Sequence, residues 1–341
     1  MEPLITDTLT AKARAGDRDA FRLLTDPHRQ ALQIHCYRML GSYHDAEEAL
    51  QETLLAAWRG LARFEERASL RTWLYRIATN RCLNMRRAIR RRPAKAWDIP
   101  GIDLLEPTRL DAAIWLEPLP DAVAAGAIIA PESPDARLER TQAVSLAFIK
   151  ALQLLPPRQI AVLILRDVVG FSAEEVAGML DASLDAVNSA LKRARAGLAA
   201  RRPDEAQPPG AGSPAENAIT DRFVKAWESA DLDALVSVLT DNVFMAMPPM
   251  PYLYIGRDIV RRFCANMFAA GRRPELARTR ANGQPAFGVY VRTPDGRRRG
   301  TGLYVLTLTG DRICGMTRFE SHVLPWFGLP PTREGEPSAQ P

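Results

Sequence analysis

Apolar residues recur at helical spacing through most of the first ninety positions. In "HDAEEALQETLLAAWRGLARF" (44–64), Ala46, Ala49, Leu50, Thr53, Leu54, Ala57 and Trp58 fall on one face, while Glu47, Glu48, Gln51 and Glu52 lie on or beside the other. Asp45 and Glu48 form a cap-like pair at its start. "SLRTWLYRIATNRCLNMRRAIRRR" (69–92) repeats the theme, with Ser69 placed to cap and Leu70, Trp73, Leu74, Ile77 and Ala78 as the buried stripe. Further on, Ser172 and Glu175 make a capping box, with Phe171 and Val176 in the hydrophobic-staple positions. That predicts a short helix from Ser172, broken at "DAS" and followed by a second helix capped by Ser183. Val187, Ala190, Leu191 and Ala194 then face inward.

Past residue 214 the period changes. "AENAITDRFVKAWESADLDALVSVLTDNVFMAMPP" reads as two helices leading into a strand, and "GRDIVRRFCANMF" (256–268) as a third helix. "AFGVYVRTPDG", "RGTGLYVLTLTGDRICGMTRFE" and "SHVLPWFGLP" read as antiparallel strands. Prolines and glycines divide the chain into helical 8–92, an irregular connector over 93–136, helical 137–202, a flexible linker "PDEAQPPGAGSP" (203–214) and an α+β domain over 215–328. No internal repeat is visible. The fold expected is therefore multidomain, two all-α blocks followed by an α+β domain.

Composition adds little to this plan, and charge adds more. The 341 residues carry a net charge of +5, which only mildly favours an anionic partner. The clustering is more telling. Arg81, Arg86, Arg87, Arg90, Arg91 and Arg92 close the helix over 69–92 with no acidic residue among them, an arrangement suited to phosphate oxygens. Arg76 lies on the same helix, and Asn80 and Asn84, one turn apart, are able to read base edges. The predicted helix pair near 171–198 has the make-up of a helix-turn-helix. Ser183, Asn188, Ser189, Lys192, Arg193 and Arg195 are its candidate DNA contacts.

Other chemistry is sparse. Cys36, Cys82, Cys264 and Cys314 are scattered, which favours reduced thiols in a cytoplasmic compartment. His35, Cys36 and His44 do not form a metal-ligand spacing, and neither a metal nor a cofactor is expected. The first ten residues lack a basic and an apolar signal-peptide region, and no apolar run reaches membrane-spanning length, so no membrane association is expected.

The order "DAEEALQETLLAAW", "LRTWLYRIATNRCLN", a variable connector, and "LPPRQIAVLILRDVVGFSAEEVAGMLDASLDAVNSALKRAR" resembles the sigma-70 family of RNA polymerase sigma factors, specifically the extracytoplasmic-function (ECF) group. The resemblance covers about residues 8–202. It implies that the first block docks on the clamp of core RNA polymerase and handles the promoter −10 element, with Asn80 near an extruded base and the loop from Arg63 to Ala68 nearby. It implies that the helix-turn-helix reads the −35 element, and that Asp45, Glu48, Gln51 and Glu52 form the polymerase-docking face. Trp73 reads as core. Fully extended, the connector could span roughly 140 Å, enough to set two modules several helical turns apart on one duplex. "IWLEPLPDA" (114–122) looks like a motif of ECF members that carry an added C-terminal domain.

That added domain resembles the SnoaL-like branch of the NTF2-like fold. The resemblance implies an apolar pocket, for which Trp227, Phe244, Met247, Tyr252, Tyr290 and Phe319 are candidates, and with it a small hydrophobic ligand. Relatives of that fold include enzymes. Asp221, Asp241, Asp311, Glu320 and His322 are available here, but no spacing among them demands catalysis, and the chain is expected not to be an enzyme. A stand-alone DNA-binding regulator and a SnoaL-type enzyme with a DNA-binding front end are the alternatives. The acidic face at 45–52 favours a sigma factor over the former.

Overall fold

The computed structural model describes residues 3–64, 68–89, 91–97, 103, 105–112, 115–125, 144–200, 207–269 and 274–334. Residues 65–67 of the loop beside Asn80, Arg90 of the arginine run and Ile114 of "IWLEPLPDA" lie outside that set. The described residues divide between two compact units. One is drawn from Met1–Arg92, Ala122–Pro131 and Phe148–Arg202, the other from Pro93–Asp121, Glu132–Ala147 and Pro203–Pro341.

The first unit is helical. Helices α1 (Pro3–Arg14), α2 (Arg18–Leu40), α3 (Tyr43–Gly60) and α4 (Leu70–Ile89) come first. After the short α5 (Asp121–Ala125), whose first residue belongs to the second unit, follow α6 (Leu146–Gln153), whose first two residues also belong to the second unit, α7 (Pro157–Leu163), α8 (Ala173–Leu180) and α9 (Leu184–Ala199). Asp17 caps α2 by accepting from the Asp19 and Ala20 amides. Gly41 ends the same helix at φ 79°, a left-handed conformation that favours glycine. Ser42 immediately caps α3 by accepting from the Asp45 amide, so α3 starts two residues before the predicted Asp45. The corner is tight because a C-cap and an N-cap occupy adjacent residues. Tyr37, Leu40, Ala46, Leu50, Leu74 and Cys82 are all buried at the junction of α2, α3 and α4.

Helix α7 continues into a wider turn, Ile164–Val168, closed by the Val169 amide on the Ile164 carbonyl. The predicted capping box is present. Ser172 Oγ accepts from the Glu175 amide, and the Glu175 carboxylate accepts from the Ser172 amide. Asp181, at φ 46°, ends α8, and Ser183 caps α9 two residues later. Val176 and Leu180 on α8 and Val187, Leu191 and Ala194 on α9 are buried, so these two helices meet along the predicted seam.

The second unit is α+β. Helices α10 (Pro214–Glu228), α11 (Leu232–Ser237) and α12 (Arg257–Ala269) accompany β1 (Arg109–Leu110), β2 (Leu239–Ala246), β3 (Tyr252–Ile255), β4 (Glu275–Ala281), β5 (Gln284–Arg292), β6 (Arg298–Thr309), β7 (Arg312–Glu320) and β8 (Thr332–Arg333). The sheet order is β1-β3-β2-β7-β6-β5-β4, with β8 also on β6. All pairs are antiparallel except β2 with β7. The helices cover one face. Phe223 and Trp227 of α10 and Phe263 and Phe268 of α12 join Met245, Phe287, Tyr304 and Met316 of the sheet in one core.

One expectation needs correction here. "SHVLPWFGLP" is not a strand, because Ser321–Phe327 forms 3-10 turns that fold Val323 and Leu324 back into the interior. Parts of the connector dock on the sheet. The Lys95 amide donates to the Pro249 carbonyl, Trp97 packs edge-on against Tyr252 and Phe263, and the Tyr254 hydroxyl donates to the Leu105 carbonyl. Thr108 Oγ1 accepts from the Ile255 amide, and β1 adds to the edge of β3. An unpaired sheet edge accepts an extended segment through main-chain bonds alone, so an irregular, proline-rich stretch is able to dock there.

Candidate nucleic-acid interface

Asn188, Ser189, Lys192 and Arg193 are exposed on α9, opposite the buried Val187, Ala190, Leu191 and Ala194. The spacing of one and four residues makes these four one face. Two predicted neighbours are otherwise engaged. Ser183 Oγ is committed to the cap, accepting from the Ala186 amide. Arg195 makes two bonds to Asp167 in the turn after α7, each 2.8 Å. Hydrogen bonding to Asp167 and its negative charge push the Arg195 pKa up. Arg195 is thus paired with Asp167, with its side chain still 61% exposed. Leu184, at the first position of α9, is 43% exposed, an apolar group at the helix entry that period counting had not singled out.

On α4 the predicted contacts separate into two sets. Asn80, Arg81, Asn84 and Arg87 are exposed, with Arg81 Nη1 3.8 Å from Glu52. Arg86 is buried instead. It donates to the Met39 carbonyl at 2.7 Å and to both the side chain and the carbonyl of Gln153. Its place is in the packing of α4 on α2 and α6, and its assignment to DNA is corrected. Arg76 pairs with Asp181 at 3.3 Å. Close by, Thr72 donates to Glu175, and Arg71 donates to the Val169 carbonyl while lying 4.2 Å over the Phe171 ring. One side of α4 is thus packed against α8 and the turn before it. The two helical blocks, which the connector is long enough to separate, are in contact.

On α3, Glu48, Gln51 and Glu52 are exposed as expected. Asp45 is not. Its carboxylate is fully buried and takes two bonds from Arg92, at 2.8 and 3.0 Å, so the expectation that it faces a partner is corrected. A helix-start residue that also receives an arginine from another segment is drawn inward, which no local pattern reveals. Leu55 is 48% exposed one turn beyond Gln51 and Glu52. An unbroken count of i, i+3, i+4 positions from Glu48 would have found it.

The six pocket candidates are buried or partly buried in the second unit, in different surroundings. Trp227 and Met247 belong to the core between helices and sheet. Phe244 lies across Gly315, its partner in the β2–β7 register. Phe319 pairs with Leu303, next to the core residue Tyr304, and alternation turns it to the opposite face. The Tyr290 hydroxyl donates to the Pro330 carbonyl, and Tyr252 packs on Trp97. The candidate acid–base groups form ion pairs: Asp221 with Arg278, Asp241 with Arg257, Glu320 with Lys95. Asp311 and His322 lie 3.9 Å from Arg312 and Glu320 respectively. Among the described residues no group of histidines, cysteines and carboxylates suits a metal, and no helix is long and apolar enough to cross a membrane.

The described residues thus form two helical blocks, the second ending in a helix-turn-helix with a polar, cationic outer face, and an α+β domain. Comparison with known proteins agrees. Residues 24–92 match Sigma-70 region 2, residues 145–198 match Sigma-70, region 4, and residues 220–316 match the SnoaL-like domain. The chain is 39% identical over 331 residues to the ECF RNA polymerase sigma factor SigG of Mycobacterium tuberculosis, covering 94% of this chain and 86% of that one. It is 28% identical over 187 residues to the ECF RNA polymerase sigma factor SigW of Bacillus subtilis, covering 55% of this chain and 91% of that one. The crystal structure of the Mycobacterium tuberculosis extracytoplasmic function sigma factor SigJ shares the fold, with a TM-score of 0.57 at 22% identity over 86% of this chain and 93% of that one. The chain belongs to the ECF RNA polymerase sigma factors.

Proposed function

We propose that Asn188, Ser189, Lys192 and Arg193 enter the major groove at the −35 element, and that Asn80, Arg81, Asn84 and Arg87 serve the −10 side. The observation that carries this reading is the exposed face of α9, where two cations and two side-chain hydrogen-bonding groups stand on a helix held rigidly by its seam with α8. Cations hold phosphates while the amide and hydroxyl meet base edges. Glu48 and Glu52 repel DNA, and with Gln51 beside them and Leu55 at their margin they suit docking on the clamp of core polymerase. The chain supplies position and strand opening, the polymerase supplies nucleotidyl transfer, and the SnoaL-like domain modulates rather than catalyses. This work takes place in the cytoplasm, with the chromosome.

Contact between α4 and α8 belongs to a resting form. Arg76 is tied to Asp181, and the −10 and −35 elements lie too far apart for two touching modules to read both. Run-off transcription with purified core polymerase and the full chain tests the proposal. Selective initiation at a promoter, weakened by Arg193→Ala, supports it; absence of selective initiation on any genomic fragment removes it.

A further inference from the structure

The β4–β5 hairpin turns on Asn282 and Gly283, at φ 57° and 71°, the geometry that an Asn-Gly pair favours. Such a tip ordinarily faces water. Here Asn282 is fully buried, and its partners come from the segment between the two promoter-reading blocks. Its backbone amide donates to the Leu119 carbonyl at 2.8 Å, and its Oδ1 accepts from the Leu119 amide at 2.9 Å. Its Nδ2 donates to the Val144 carbonyl at 2.6 Å. Next to it, Gln284 Oε1 accepts from the Leu146 amide at 3.0 Å. Asp121 accepts from the Gly283 amide at 2.7 Å and from Arg280 Nε at 3.2 Å, and Arg280 also holds Glu216. One side chain therefore grips two points far apart along the chain. Both lie within hydrogen-bond reach of a single amide, which sets them no more than about 8 Å from one another.

We propose that this turn is a staple on the linker. By holding Leu119 and Val144 together it withdraws the intervening stretch from the reach available to the two modules, and it must open when polymerase is engaged. The magnitude is large. Released, the residues from Leu119 to Val144 could extend to about 80 Å, at ~3.3 Å each. Sequestered, they add almost nothing. Extension is favoured by chain entropy, and it is opposed by the buried bonds just described together with the Pro120–Ala281 bridge and the burial of Leu119, Val144 and Leu146. The inference rests on the proposed function and deepens it: the C-terminal unit acts in cis, by holding the linker, and needs no catalytic site to do so.

Asn282→Gly is the test variant, because glycine keeps the positive φ while removing both side-chain bonds. Hydrogen exchange on the free full-length protein, followed over peptides covering 115–121 and 144–147, should quicken about tenfold, with β6 and β7 unchanged. Transcription from a cognate promoter at limiting chain concentration should rise severalfold. Unchanged exchange at both linker points overturns the staple. Quickened exchange with unchanged or lower transcription overturns its inhibitory role. If β6 and β7 also lose protection, Asp121→Asn, which leaves the hairpin side chains intact, replaces the first variant, and the same two outcomes decide. Failure of the wild-type chain to bind core polymerase would remove the proposed function instead, and the exchange result would stand apart from it.

Discussion

Arg86 and Gln153 meet in the interior of the helical unit, the guanidinium of one bonded to both the side-chain oxygen and the backbone carbonyl of the other. The first lies in the stretch matching Sigma-70 region 2, the second in the stretch matching region 4. Gln153 also donates to the Arg38 carbonyl and lies against Gly41, so an added Cβ there would stand 2.9 Å from its side chain. A corner glycine, a buried arginine and an amide thus form one polar knot between α2, α4 and α6. Arg86→Met should cost about 2–4 kcal/mol in urea unfolding, since charged hydrogen bonds are lost and the Met39 carbonyl is left without this donor. Gly41→Ala should cost about 1–3 kcal/mol, from the positive φ and the contact with Gln153 together.

The two arginines near the end of α9 should behave differently on DNA. Arg193→Ala should flatten the salt dependence of −35 duplex binding by about one unit of log–log slope, the share of one phosphate contact. Arg195→Ala should leave the slope unchanged, because that side chain is engaged by Asp167. Anisotropy titrations across a salt series separate them, and equal slopes for both variants would contradict the assignment.

Polymerase docking and folding should separate on α3. Leu55→Asp should weaken association with core polymerase by about tenfold or more while leaving the melting temperature unchanged, as an exposed anchor should. Asp45→Asn should do the reverse, lowering stability by about 1–3 kcal/mol; the buried carboxylate is strongly held, but Arg92 is 40% exposed and solvent screens part of the loss. Paired calorimetry and pull-down measurements decide.

Acid should loosen the first unit through His35. Burial, assisted by the charge of Arg38, pushes its pKa down to about 3, and its Nε2 bonds Thr79 Oγ1 at 2.9 Å. The unfolded chain takes up a proton near pH 6.5 while the folded one resists, so stability is full above that value and falls as pH drops toward 3. At pH 4.5 the loss relative to pH 7 should be about 2–3 kcal/mol from this group. Urea midpoints for wild type and His35→Gln at the two pH values isolate it, and a parallel decline in both would exclude His35 as the cause.

Much of this fold was legible because its signals are local. The capping box at Ser172 and Glu175, the cap at Ser183 and the seam of Val187, Leu191 and Ala194 depend on residues within a turn or two of each other, and all are present. The exposed face of α9 follows from the same period. The errors share a different origin. Asp45 and Arg86 carry the right charge for a surface role, but each is buried against a residue 47 positions away. The Asn-Gly turn was a local signal that went unread, and its grip on Leu119 and Val144 was not local at all.

Taken alone, the sequence determined the order of the domains, the helices and most strands, the family, and which face of the recognition helix meets water. Hydrophobic period and capping chemistry decide these within each element. Only the tertiary structure decided which charges are buried or paired, that α4 packs against α8, and that the described parts of the connector dock on the sheet, with Leu119 and Val144 bonded to Asn282. Those outcomes depend on hydrogen bonds between segments distant in sequence, and a polar side chain reads the same in the sequence whether it ends in water or in a buried partner.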